Sequence, residues 1–154
     1  MDSSLSEVYQ DIILDNNRNP RNKRKMDDPS GSSQGYNPSC GDEVTVFVKL
    51  DDKIINDLTF YGEGCAISQS SASLMTILLT GKTIDEANKI IDEVYWALSN
   101  DFSDEECFAI LEKYGEVCAL FGVRKFPMRI KCATLAWHAA KDAITASSIA
   151  KNLN

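Results

Sequence analysis

The hydrophobic pattern of the chain changes period near residue 65. Before that point, apolar residues alternate along 43–50, and a second strand-like run at 54–61 follows the turn formed by Asp51 and Asp52. Two such runs joined by a two-residue turn are typical of an antiparallel β-hairpin. After that point, apolar residues recur at helical spacing. A hairpin followed by four helices predicts an α+β fold, with a small antiparallel sheet of about three strands packed against a layer of helices.

Capping signals place the helix boundaries. Three Ser/Thr–x–x–Glu pairs have the spacing of a capping box: Ser4–Glu7, Thr83–Glu86 and Ser103–Glu106. Together with the glycine and proline positions they predict helices ending near residue 16 and spanning 66–80, 84–98, 104–114 and about 128–150. Residues 17–39 are rich in proline and glycine and poor in apolar residues, which predicts a long loop, with a third strand around 35–37.

Length and composition exclude several classes of protein. The 154 residues are enough for one domain, which we expect to span 1–154. The net charge of −7 argues against nucleic-acid binding, because the phosphate backbone requires lysine and arginine. No run approaches the about 18 apolar residues of a membrane span, and the first residues lack the features of a signal peptide. We therefore expect a cytoplasmic, reducing environment.

Charge is unevenly distributed along the chain. Residues 85–116 are strongly acidic, whereas residues 18–25 hold a small basic cluster. Runs of this kind are usually solvated surface, and a docking surface for a partner is the alternative.

Three of the five cysteines stand at predicted ends of secondary-structure elements. Cys40 lies in a glycine-containing loop before a strand, Cys65 directly precedes a helix, and Cys132 lies in the opening turns of the last helix. A helix N-terminus stabilises a thiolate. The odd number of cysteines, without an export signal or a CxxC pair, argues against a disulfide framework and a compact zinc finger.

Asp42 is close enough in sequence to Cys40 for both side chains to reach one ion, although an aspartate here could also serve only the turn. Three thiolates and one carboxylate complete a tetrahedral shell. Zinc accepts such a set, and thiolates also bind iron–sulfur clusters, so ligand type leaves both open.

The other candidate ligands are expected to have structural roles. Cys107 and Cys118 lie among apolar residues and are predicted to be small buried hydrophobes. His138 lies six residues beyond Cys132, about 240° around a helix, so the two side chains point in different directions. We expect a surface or packing role for this histidine.

Three segments around the cysteines carry a combined pattern: 37–42 (NPSCGD), 62–68 (GEGCAIS) and 129–137 (RIKCATLAW). Together, and in this order, they resemble the IscU-like iron–sulfur cluster assembly proteins over essentially the whole chain. Lys131 stands where the housekeeping scaffolds have a histidine, and the interval between Cys65 and Cys132 is longer than theirs. In both respects the chain is similar to the SufU branch, and the resemblance implies an IscU/SufU-like fold.

The resemblance also implies a site, a partner and a role. It implies zinc on Cys40, Asp42, Cys65 and Cys132, and a SufS-type, PLP-dependent cysteine desulfurase as partner. The protein would be a zinc-dependent sulfurtransferase that accepts persulfide sulfur and relays it to downstream iron–sulfur assembly proteins. Cys40 is the implied acceptor, and its loop position agrees with this. Arg129, one helical turn before Cys132, would bind Asp42, steady the thiolate charge or simply face solvent.

Two other functions remain open from the sequence. The first is a scaffold that assembles a [2Fe–2S] cluster on the same four residues, which predicts a coloured protein after anaerobic purification. The second is a non-enzymatic binding module with a structural zinc ion, which predicts no stimulation of a cysteine desulfurase.

Overall fold

Five α-helices and a three-stranded sheet form the part of the chain that the computed structural model describes, residues 3–99 and 101–153. In chain order the elements are α1 (Ser3–Arg18), β1 (Gly31–Asn37), β2 (Asp42–Asp51), β3 (Ile54–Glu63), α2 (Ala66–Leu79), α3 (Ile84–Leu98), α4 (Asp104–Leu111), a 3₁₀ segment (Glu112–Lys125) and α5 (Pro127–Leu153). This arrangement confirms the predicted α+β fold. Within the described residues, no helix has both the length and the apolar character needed to cross a membrane.

The sheet has the order β1-β2-β3, and both pairs are antiparallel. The predicted hairpin is formed by β2 and β3, where Val46 lies opposite Phe60 and both side chains are fully buried. β1 pairs with the other edge of β2 and forms a second hairpin with it. Asn37 lies opposite Asp42 at the closed end of this β1–β2 hairpin. The three strands therefore form a meander whose closed β1–β2 end carries the first cysteine motif.

β1 is longer than the sequence predicted, and the loop expected over 17–39 ends where this strand begins. Two glycines of the strand lie against α5. A Cβ on Gly31 would lie 2.4 Å from the carbonyl oxygen of Ala143, and one on Gly35 would lie 2.8 Å from Leu135 Cδ1. Glycine thus allows α5 to pack directly on the strand, and the same composition removes the apolar alternation by which strands are predicted.

Buried hydroxyl groups join α2 to the helices on either side of it. Ser71 Oγ accepts a hydrogen bond from Trp137 Nε1 (2.9 Å) and donates one to the carbonyl oxygen of Ala133 (2.5 Å), both on α5. On the α1 side, Ser73 donates to Asn16 Oδ1 at 2.7 Å. These bonds satisfy polar groups that would be costly to bury alone, and the small side chains allow close helix approach.

The predicted caps of α3 and α4 are confirmed. Thr83 accepts a hydrogen bond from the Glu86 N–H, and Ser103 and Glu106 form both arms of a capping box. The pair predicted for α1 includes Ser4, whose side chain lies outside the part that the structure describes.

The helix predicted over 104–114 is shorter than expected. α4 ends at Leu111, and the chain continues as a 3₁₀ segment that bends at Gly115, with φ of 61° and ψ of −126°. A positive φ favours glycine, so the residue predicted to stop the helix instead redirects the chain within the segment. Beyond the bend, Val117 and Leu120 enter the core.

Candidate metal centre

Cys40 lies at the tip of the hairpin between β1 and β2. The turn comprises residues 38–41, and the Cys40 N–H donates to the carbonyl oxygen of Asn37 at 3.3 Å. Gly41 has a φ of 68°, a conformation that side chains rarely adopt. The Cys40 side chain is half-buried. The strands therefore fix both ends of a short turn that holds the thiol at the edge of the domain.

The carboxylate of Asp42 is fully buried and held by several donors. Its Oδ1 accepts from the Cys65 N–H (2.9 Å) and the Ser68 hydroxyl (3.2 Å), and its Oδ2 accepts from Asn37 Nδ2 (3.4 Å). Burial alone would raise the pKa of Asp42, but hydrogen bonds from the Cys65 N–H, Cys132 and Ser68 outweigh it and hold the pKa below its ordinary value. The carboxylate is therefore ionised near neutral pH.

Cys65 connects the end of β3 to α2. It is the N-cap residue of α2, and its side chain makes no capping hydrogen bond. The preceding Gly64 is required by space, because a Cβ there would lie 2.5 Å from Asp42 Oδ1 and 2.4 Å from Ser68 Oγ. The backbone of this connection thus comes directly against the buried carboxylate.

Cys132 brings a second thiol to the hairpin tip from α5. It is fully buried, and its thiol donates to Cys40 Sγ at 3.2 Å. One ligand atom from each of Cys40, Asp42 and Cys132 lies within 4.8 Å of the other two. The thiol of Cys65 interacts with Asp42 and Cys132 but is not one of these three atoms. The structure therefore gathers three of the four predicted ligands and places the fourth beside them.

The charge states in this cluster suit a thiophilic cation. Burial and the hydrogen bonds to Asp42 and Cys40 raise the pKa of Cys132, so its thiol is neutral without a cation. A cation that displaces thiol protons would meet sulfur ligands and one ionised carboxylate, and its binding would release protons. Such a donor set fits both zinc and iron.

Arg129 lies on the exposed side of the cluster. Its Nη1 is 3.7 Å from Cys40 Sγ, and interactions with the thiols, led by a hydrogen bond with Cys132, raise its pKa. Of the roles that the sequence suggests for Arg129, the structure shows the contact with a thiol. A permanent positive charge therefore stands next to the half-buried sulfur.

The remaining candidates lie elsewhere, as the sequence predicted. Cys107 is buried in α4, and burial raises its pKa to about 11. Cys118 is buried in the 3₁₀ segment, 3.1 Å from the hydroxyl of Tyr9. His138 is exposed, and its ring centroid lies 4.4 Å from that of Tyr95. Among the described residues, none of these three belongs to the group of ligand atoms.

Two polar residues of the site were not predicted. Asn37 and Ser68 belong to the quoted cysteine motifs, yet neither is a common metal ligand, and their sequence positions alone gave no reason to assign them a role. Both turn out to donate hydrogen bonds to Asp42. Their place within the cysteine motifs is the sequence signal that could have indicated a role in the site.

Comparison with known proteins supports one family. Residues 8–132 match the family model described as NifU-like N terminal domain. The chain is 39% identical over 145 residues to the zinc-dependent sulfurtransferase SufU of Bacillus subtilis (strain 168), covering 92% of each chain. It is 36% identical over 151 residues to the iron–sulfur cluster assembly scaffold protein IscU of Streptococcus pyogenes serotype M1, covering 98% of this chain and 91% of that one.

The fold is also that of a solved relative. A structure from Fervidobacterium islandicum AW-1, described as an iron–sulfur cluster assembly scaffold protein for the SUF system, superposes with a TM-score of 0.77 at 31% identity, covering 90% of this chain and 97% of that one. The family model, the relatives and the fold agree over nearly the whole sequence. The chain therefore has a NifU-like N-terminal domain and belongs to the IscU-like family of iron–sulfur cluster assembly proteins.

Proposed function

We propose that this protein is a zinc-dependent sulfurtransferase that accepts persulfide sulfur from a SufS-type cysteine desulfurase and relays it to downstream iron–sulfur assembly proteins. The observation that carries the proposal is the position of Cys40, half-buried at a hairpin tip beside a second thiol, a buried carboxylate and an arginine. The B. subtilis relative, similar over 92% of the chain, is named for this activity.

Cys40, Asp42, Cys65 and Cys132 would hold the zinc ion. Bound zinc would keep the thiols deprotonated at neutral pH. The protein supplies the frame: Asp42 is fixed by its hydrogen bonds, Cys65 caps α2, and Cys132 is buried in α5. Each of these three is anchored in or next to a regular element.

Cys40 is the proposed sulfur acceptor because it alone of the four lies within a turn. Its thiolate attacks the terminal sulfur of the persulfide on the desulfurase, and a new S–S bond forms on Cys40. The old S–S bond breaks, and the desulfurase cysteine leaves with that electron pair as a thiolate. One sulfane sulfur moves without net oxidation or reduction, as in thiol–disulfide exchange.

Arg129 is proposed to assist this transfer. Its guanidinium contacts Cys40 Sγ from the exposed side and would stabilise the negative charge of the thiolate and then of the persulfide. The five cysteines are all free thiols, which agrees with a reducing, cytoplasmic setting for such chemistry.

The test combines metal analysis, a desulfurase assay and mass spectrometry. We expect about one zinc per chain, stimulation of cysteine desulfurase turnover, and sulfane sulfur on the peptide that contains Cys40. Cys40→Ala should abolish sulfur uptake and keep part of the zinc, whereas Cys132→Ala should lose both zinc and stability. Cys107→Ala, away from the site, is the matched control. Sulfur uptake by Cys40→Ala at the wild-type rate would refute the assignment.

A [2Fe–2S] scaffold is the second candidate, favoured by the S. pyogenes relative, which is named an IscU scaffold and is similar over 98% of the chain. The same four residues would hold the cluster. Anaerobically purified protein that absorbs in the visible and carries iron and sulfide would favour this function, whereas a colourless zinc protein favours sulfur transfer. A protein that holds zinc but leaves desulfurase turnover unchanged would have a structural zinc site.

A further inference from the structure

The side-chain amide of Asn37 links two members of the metal cluster from the buried side. Its Nδ2 lies 3.4 Å from Asp42 Oδ2 and 3.6 Å from Cys132 Sγ. The residue is only 6% exposed. The amide therefore connects a ligand on β2 with a ligand on α5.

The amide is not needed to build the hairpin. The turn uses only the backbone of Asn37, whose carbonyl oxygen accepts from the Cys40 N–H and which pairs with Asp42 at the end of β1. A side chain of another type could therefore occupy this strand position. The contacts that single out asparagine are those to the carboxylate and to the sulfur.

The two sulfurs at the hairpin tip consequently have different surroundings. Arg129 interacts with both thiols, so burial and the Asn37 amide are what distinguish them: Cys132 is fully buried and receives the amide, whereas Cys40 is half-buried in a turn. An N–H donor directed at a sulfur withdraws electron density from it and makes its thiolate a weaker nucleophile, while fixing its direction toward a metal.

We infer that Asn37 is a positioning residue that keeps Cys132 and Asp42 as fixed ligands and thereby leaves Cys40 as the thiol that accepts sulfur. This inference rests on the proposed function for the sulfur step, but its effect on the metal site is independent of any partner. The side chain itself does not touch the incoming sulfur.

The experiment compares Asn37→Leu, which fills similar space without a donor, with Asn37→Ala and with Asn37→Gln, which restores an amide. Gln34→Ala is the matched control, an exposed amide on the same strand. Three quantities are measured: zinc affinity by competition with a chromophoric chelator, the sulfur-to-metal charge-transfer band after substitution with Co²⁺, and the distribution of sulfane sulfur between the Cys40 and Cys132 peptides after reaction with a desulfurase.

Asn37→Leu and Asn37→Ala should lose about 10- to 100-fold in zinc affinity, the usual effect of removing a hydrogen-bond partner of a metal ligand. Their Co²⁺ band should move to longer wavelength, and sulfur should appear on Cys132 as well as on Cys40. Asn37→Gln should recover part of each change, and Gln34→Ala should match the wild type.

Zinc affinity within twofold of wild type, together with an unmoved Co²⁺ band in both variants, would overturn the inference. If Asn37→Leu does not fold, Asn37→Ala decides the outcome. If the wild-type protein binds metal but takes up no sulfur, the proposed function fails, and the inference about the metal ligands is still judged by the first two measurements.

Discussion

Replacing Gly64 by alanine tests how firmly the carboxylate of Asp42 is held. The added Cβ would lie 2.5 Å from Asp42 Oδ1 and 2.4 Å from Ser68 Oγ, both far inside van der Waals contact. Ser68 can rotate away, but Asp42 is buried and bound to the Cys65 N–H at 2.9 Å. The substitution therefore forces the carboxylate to give up hydrogen bonds that hold it in the cluster.

The expected magnitude follows from the loss of one such bond. A hydrogen bond to a charged group contributes about 1.5–3 kcal/mol. For a domain of this size, a loss of 1 kcal/mol lowers Tm by about 2–4 °C, so Gly64→Ala should lower the Tm of the metal-free protein by about 3–12 °C. Because the added Cβ would displace the Asp42 carboxylate, Gly64→Ala should also weaken zinc binding by about 10-fold or more.

Calorimetry of the metal-free protein and chelator competition measure these two effects separately. Gly122→Ala is the control, because a Cβ there meets no atom within 4 Å, and it should be neutral or stabilise by up to about 1 kcal/mol. Adding Ser68→Ala to Gly64→Ala should not restore the loss, since Asp42 is still displaced and also loses the Ser68 hydrogen bond. A Gly64→Ala protein with wild-type Tm and wild-type zinc affinity would refute this account of the site.

Two further changes test the fold and its pH dependence. Gly31→Ala should destabilise by about 1–3 kcal/mol in urea unfolding, because the Cβ would lie 2.4 Å from the backbone oxygen of Ala143 and would push α5 off β1; unchanged stability would contradict that packing. Hydrogen bonds from Tyr114 and then Lys113 hold the pKa of Glu93 below its ordinary 4.5, so its contribution to stability is present above pH 4.5 and is lost as the pH falls through the lower folded-state pKa. Glu93→Gln should remove this part of the acid dependence. Identical stability–pH curves for the wild type and Glu93→Gln would show that the hydrogen bonds of Glu93 contribute nothing to stability.

The elements predicted correctly are those set by local patterns. β2 alternates between buried and more exposed residues, β3 follows it after a tight turn, and Thr83 and Ser103 cap helices through residues three positions away. β1 was predicted only in part because its glycines serve α5, an element about a hundred residues later in the chain. Close packing between distant segments leaves no periodic signal within the strand itself.

The residues of the site also differ in whether local sequence or the completed fold reveals their role. The residue types and motifs singled out Cys40, Asp42 and Cys132, and the structure brings their ligand atoms together. Asn37 and Ser68 act on Asp42 through side-chain direction, which depends on the completed packing of sheet and helices. Donors of this kind emerge only once the fold is known.

The turn of residues 38–41, which carries Cys40, lies between two strands that are paired with each other. Its neighbour Asp42 already belongs to a paired strand, and the partner sulfur of Cys132 belongs to a long helix seated on that sheet. A local movement of this turn would carry the Cys40 sulfur outward while the sheet and α5 stay in place. Sulfur transfer of the proposed kind would then require only this local rearrangement, and the rest of the domain would keep its structure.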